Sequence, residues 1–243
     1  MHWTTGPTPP SVGPVVITKT RSPIRSNVGL KAVMAVTGIL LVLFLIAHMV
    51  GNLKAFAGET SFDHYAHWLR DLGKPLLPGV WFLWIMRAGL LVAVLAHIAS
   101  ATVLARRSRA ARPIRYAHRP KVQGSYAART MRWGGVIILL FVIYHLLDLS
   151  SGHLNPTDDP TKPYAAVVAD FAPERWYVTL FYTLAIVTVG FHLRHGAFSA
   201  FRSLGQQTPK GERRARTAAL VLAVTISVGY LAIPFAVLTG LVA

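Results

Sequence analysis

Five long apolar runs limit this chain more than any other feature: residues 30–50, 79–104, 133–149, 176–195 and 218–241. A helix needs about 20 apolar residues to cross about 30 Å of hydrocarbon, and each run has roughly that length, the third being the shortest. Hydrocarbon offers no water to backbone N–H and C=O groups, so each run has to close its own hydrogen bonds as a helix. Charged residues are only 14% of the chain, against about 25% in soluble domains, and five runs leave little chain for a separate soluble unit. The sequence therefore predicts an all-α, polytopic membrane protein with five transmembrane helices. Residues 1–29, rich in proline and without an apolar core, read as a polar N-terminal tail rather than a signal sequence. Residues 30–243 form the transmembrane domain.

Charge sets the expected orientation. Lys19, Arg21 and Arg25 precede the first run with no acid, and Lys31 stands at its edge. The connection 105–132 carries nine Lys/Arg and no acid, and 194–217 carries six with one acid, Glu212. The other two connections hold the remaining eight acids, counting Asp148 at a run's end, against five Lys/Arg. Positively charged connections stay inside, which places the N-terminus and both basic connections in the cytoplasm and the C-terminus outside. The net charge of +16 thus collects at one membrane face, a distribution suited to lipid headgroups or an acidic partner rather than to nucleic acid. With no cysteine, the chain has no thiolate of its own for an iron–sulfur cluster or a zinc site. P-loop, dinucleotide-binding and HExxH patterns are also missing from it.

Four of the runs carry a histidine near an end, His48, His97, His145 and His192, and the fourth run closes on a second, His195. At about 1.5 Å per residue, and with the spans alternating in direction, His48 and His145 fall near the outer surface and His97 and His192 near the inner one. An imidazole in hydrocarbon needs partners. Two matched layers of two imidazoles, on a four-helix core, are the donor set for two bis-histidine b haems, which carry electrons because no coordination position stays open. The fifth span has no histidine and contains Pro234, so it reads as a kinked cover for that core.

Residues 30–56, LKAVMAVTGILLVLFLIAHMVGNLKAF, and 189–205, VGFHLRHGAFSAFRSLG, enclose LLVAVLAHIA and VIILLFVIYHLLD. This ordered set resembles the membrane-anchor cytochrome b subunit of succinate dehydrogenase and fumarate reductase, of the five-helix, two-haem type, over residues 26–242. The resemblance implies axial ligation of two haems by His48 with His145 and His97 with His192. It implies cytoplasmic partners, a flavoprotein carrying FAD and an iron–sulfur protein, and reduction of a membrane quinone, menaquinone or ubiquinone. The succinate site would lie on the flavoprotein, and the location would be the cell membrane.

Further residues are candidates for quinone or haem propionates. Arg87 lies inside the second span and either snorkels to the surface or meets a propionate or quinone-site carboxylate. His64 and His67, on one face if 62–72 is helical, are either exposed or part of an outer quinone pocket with Asp63 and Asp71. His195 shares a face with His192. At the inner end Ser26, Arg25 and Lys31 would flank a quinone site beside the iron–sulfur partner. Gly38, Gly51, Gly135, Gly190 and Gly196 suit either close cofactor approach or tight helix packing. Two other classes compete. In a haem-free anchor the histidines would support an iron–sulfur centre whose thiolates come from a partner, and in a proton-coupled transporter they would relay protons.

Overall fold

The structure, a computed structural model, describes residues 26–111, 124–157, 161–203 and 208–243. Among the described residues there are seven α-helices and no strand: α1 (Asn27–Asn52), α2 (Glu59–Asp71), α3 (Trp81–Ala110), α4 (Gly124–His145), α5 (Pro163–Asp170), α6 (Trp176–Ser203) and α7 (Pro209–Leu238). Five of these, α1, α3, α4, α6 and α7, anchor segments long and apolar enough to cross a membrane. The protein is an all-α, polytopic membrane protein. Residues 1–25 of the tail, Arg25 among them, and residues 112–123 of the 105–132 connection lie outside the described residues.

The helices run past the apolar stretches at one end. α3 continues through Arg106, Arg107 and Arg109, and α7 begins nine residues before Ala218, with Thr208 capping Gly211 N at 3.1 Å. Arg, Ala and Glu in these polar turns are good helix formers, and Pro209 and Gly211 fall in the first turn of α7, where Pro is pre-set for the helix start. These turns form a basic end, where Arg107 donates to Asn27 across α1 and α3 at 2.8 Å. The short helices α2 and α5 sit together at the opposite, acidic end, joined where Asp63 Oδ1 accepts from Tyr164 N at 3.0 Å.

Apolar surface alone gives transmembrane helices little reason to associate, because lipid tails are as apolar as leucine. Close packing of small residues supplies that reason here. Ala215, Ala219 and Ala223 recur every four residues on α7 and are buried against its neighbours. Gly190 of α6 receives Ser227 of α7, and Gly229 of α7 receives Met49 of α1. Tyr230 then fixes α7 to α1 by donating to Leu45 O at 2.8 Å. Pro234 is buried within α7, which covers α6 and α1.

α1 packs along α3, and α4 along α6, but these two pairs meet each other at few points. α7 and the acidic-end helices hold them side by side. The space between the α1/α3 pair and the α4/α6 pair is the setting of the histidines.

Candidate functional site

The structure brings the four histidines together in two facing couples, each spanning that space. His48 (α1) and His145 (α4) have ring centroids 5.9 Å apart, and His97 (α3) and His192 (α6) have centroids 6.4 Å apart. Gly38, where an added Cβ would meet His97 Cε1 at 3.5 Å, lies ten residues before His48 on α1. Tyr182, whose oxygen lies 3.4 Å from His145 Nδ1, lies ten residues before His192 on α6. Both intervals correspond to about 15 Å along a helix axis, so the two couples are stacked within one bundle.

Hydrogen-bond partners orient two of these rings and favour one tautomer of each. Thr37 Oγ1 donates its one proton to Val33 O at 2.8 Å and lies 3.2 Å from His97 Nδ1. With that proton on a carbonyl of its own helix it accepts from His97, an arrangement that puts the hydrogen on Nδ1 and leaves Nε2 a free lone pair. Tyr182 O–H likewise donates to Asp148 Oδ2 at 2.8 Å, so it accepts from His145 Nδ1, again leaving Nε2 as the donor atom. Ligating histidines are held in this way, with the second nitrogen bonded to a neighbour that orients the ring. His192 Nδ1 is buried without a hydrogen-bond partner among the described residues. Aromatic rings wall the acidic-end couple: Phe44 stacks on His48 at 5.3 Å, and Phe141 on His145 at 5.8 Å.

A metal between two imidazole nitrogens at about 2 Å from each leaves ring centroids about 6 Å apart, and both couples have that spacing. Among the described residues no group of three or more His, Cys, Asp or Glu gathers around an ion position. Two imidazoles alone are an incomplete donor set for a resident ion and would suit a metal whose other positions are filled by a macrocycle.

The remaining candidates do not converge on one pocket. Arg87 is exposed and stacks over the Trp84 ring at 5.0 Å, in line with snorkelling along the surface rather than an internal anion. His64 and His67 are exposed on α2, and Asp63 is engaged in capping α5. Ser26 is the N-cap of α1, accepting from Gly29 N at 3.0 Å, and Lys31 is exposed one turn later. His195 is half-buried, one turn beyond His192. Of the glycines, Gly38 adjoins His97, Gly51 seats the Tyr65 ring and Gly190 meets Ser227, whereas a Cβ on Gly135 or Gly196 would meet open space.

Reading the sequence alone misses Thr37, Tyr182, Asp148 and Asp170. Asp148 and Asp170 are fully buried, and Asp170 pairs with Arg175 at 2.8 Å. Their signal was present as two acids inside apolar text, HLLDLS and AAVVADFA. Comparison with family models, characterised proteins and solved structures returns no match for the chain.

Proposed function

We propose that this chain is the membrane-anchor subunit of a succinate:quinone oxidoreductase, carrying electrons between a peripheral iron–sulfur subunit and membrane quinone. One observation supports this reading above the others: four histidines from four helices face each other in two couples at ligand spacing, stacked along one bundle. His48 with His145 and His97 with His192 would each hold one b haem. Bound there, haem supplies reversible one-electron chemistry without an open coordination position.

The chain's own residues provide the rest. Thr37 and Tyr182 hold His97 and His145 with Nε2 directed away from their hydrogen-bond partners. Phe44, Phe141 and Tyr230 surround the acidic-end couple and keep water from it. The basic end, oriented to the cytoplasm by its Lys/Arg excess, offers complementary charge for steering an acidic partner. On this reading quinone binds at the basic end near Ser26 and Lys31, close to the incoming electrons, while the exposed His64 and His67 mark the alternative acidic-end site. The flavoprotein holds the succinate site, and the chain lies in the cell membrane with its N-terminus inside.

The test is haem quantitation on the purified complex by pyridine haemochrome, with a reduced-minus-oxidised absorption spectrum. The expected result is two b haems per chain, and one after replacement of either member of a couple by alanine. A complex without haem but with full quinone reductase activity would favour the haem-free anchor. Absence of both haem and quinone reduction would favour a transporter.

A further inference from the structure

Asp148 and Asp170 come from different elements and meet where neither touches solvent. Asp148 lies in a π-helical turn, Leu146–Ser150, that continues α4, and Asp170 ends α5. The wider turn, closed by Ser151 N on Leu146 O at 2.9 Å, directs Asp148 inward. Both residues have 0% exposure. One oxygen of each is accounted for: Asp148 Oδ2 accepts from Tyr182, and Asp170 Oδ1 accepts from Arg175, each at 2.8 Å. The other two, Asp148 Oδ1 and Asp170 Oδ2, have no donor among the described residues. The π-helical turn and α5 pack against each other, and a side-chain contact with Asp148 is among the causes that raise the Asp170 carboxyl.

Two ionised carboxylates cannot make such a contact, since each oxygen only accepts and like charges in a buried place repel. One proton resolves both orphans at once, with Asp170 Oδ2–H donating to Asp148 Oδ1. Every group in the row then has its partner: Arg175 N–H to Asp170, Asp170 O–H to Asp148, Tyr182 O–H to Asp148, and His145 Nδ1–H to Tyr182. We propose that Asp148 and Asp170 form a one-proton binding site, hydrogen-bonded through Tyr182 to His145, whose protonation sets the charge behind the His48/His145 couple. Burial, and then the neighbouring Asp148, push the Asp170 carboxyl up to about 7, with Arg175 opposing. The charged and titratable groups facing the pair are Arg175 in the turn before α6, Tyr182 on α6 and Tyr144 on α4, with Tyr177 beside Arg175 and His145 beside Tyr182. Asp63 of α2 faces the other end of α5. Arg175 is half-buried and is the pair's way to the acidic-end surface.

The pair is argued from its own oxygens; only its role beside a redox site rests on the function proposed above. The test is infrared spectroscopy of the purified protein in H₂O and D₂O, from mildly acidic to mildly alkaline pH. Wild type is expected to show a protonated-carboxyl stretch near neutral pH that shifts on deuteration. That band should vanish in both Asp148→Asn and Asp170→Asn, whose amides keep the hydrogen-bonded row without the shared proton. Absence of the band in wild type is decisive even if a variant folds poorly. No protonated carboxyl in wild type, or a band surviving in both variants, would overturn the proposal. So would a band that appears only after a chelator is added, since a metal cation would then occupy the pair. Haem propionates also carry carboxyl groups, so the band is assigned by its loss in the two variants at unchanged haem content, which keeps failure of the acid pair separable from failure of the haem reading.

Discussion

Thr37 is a small residue with a large lever on His97. Its hydroxyl uses its proton on Val33 O and so presents only lone pairs to Nδ1 of the imidazole. Loss of such an orienting partner typically costs 10–100-fold in metal affinity. On the proposed haem reading, Thr37→Val, nearly isosteric, is expected to lower haem retention at His97/His192 by roughly that factor in a competition assay with apomyoglobin, while haem at His48/His145 is retained. Thr37→Ser should restore it, and equal loss of both haems would point to general destabilisation instead. The four histidines were legible in the sequence because each sits inside a different apolar run. Thr37 was not, because a hydroxyl in a transmembrane helix is satisfied equally well by its own helix, as Thr183 and Thr188 are by carbonyls four residues back. Tyr182 was hidden for a related reason. In a segment with Tyr177, Phe181 and Phe191, nothing local distinguishes the aromatic residue that reaches a buried acid.

Among the elements, the five long helices were readable from length and apolarity, and their basic-end extensions were not, because charge ends an apolar run without ending a helix. α5 escaped notice altogether: eight residues after two prolines and two acids carry too few turns for a period to emerge. Its stability comes from tertiary contact, with Asp63 of α2 accepting from Tyr164 N in its first turn. Asp63→Ala is therefore expected to destabilise the acidic end by about 0.5–2 kcal/mol, the usual cost of a lost N-cap, read as a lower Tm in detergent. Asn at 63 should recover most of it. If Asp63 instead delivers protons to quinone, Asn would fail to rescue turnover while stability stayed unchanged. The other end of α5 predicts a pH effect. The folded Asp170 holds its proton up to about 7, whereas the unfolded chain holds it only to about 4. The folded state thus binds more proton between these values, so stability falls as pH rises across that window. The contribution is complete below about 4 and is lost on passing through about 7. Tm should therefore drop with rising pH across the window in wild type, and less steeply in Asp170→Asn.

At the scale of the whole molecule, the two ends differ in charge and build, and that asymmetry carries the orientation. Arg106, Arg107 and Arg109 close α3, and Arg213, Arg214 and Arg216 open α7, so the cations of two connections lie at one end of the bundle. The acids Glu59, Asp63, Asp71, Asp170 and Glu174 lie in the elements of the other. Moving such a cluster across a bilayer is opposed by the cost of each cation in hydrocarbon, about 2.5–3.5 kcal/mol on insertion scales, whereas acids weigh little in the choice. The basic end should therefore face the cytoplasm. Ser108 is exposed in the last turns of α3, and Thr157 lies beyond the π-helical turn that follows α4. Single cysteines at these positions are read without background, because the natural chain has none. In intact cells a membrane-impermeant maleimide should label Thr157→Cys and leave Ser108→Cys unmodified until the membrane is opened. Labelling of Ser108→Cys alone would invert the molecule. His48/His145 would then sit on the cytoplasmic side, and the docking face would move to the end that carries α2 and α5. Labelling of both from outside would instead remove a span between them, and with it the stacked arrangement of the two histidine couples on which the electron-carrying role depends.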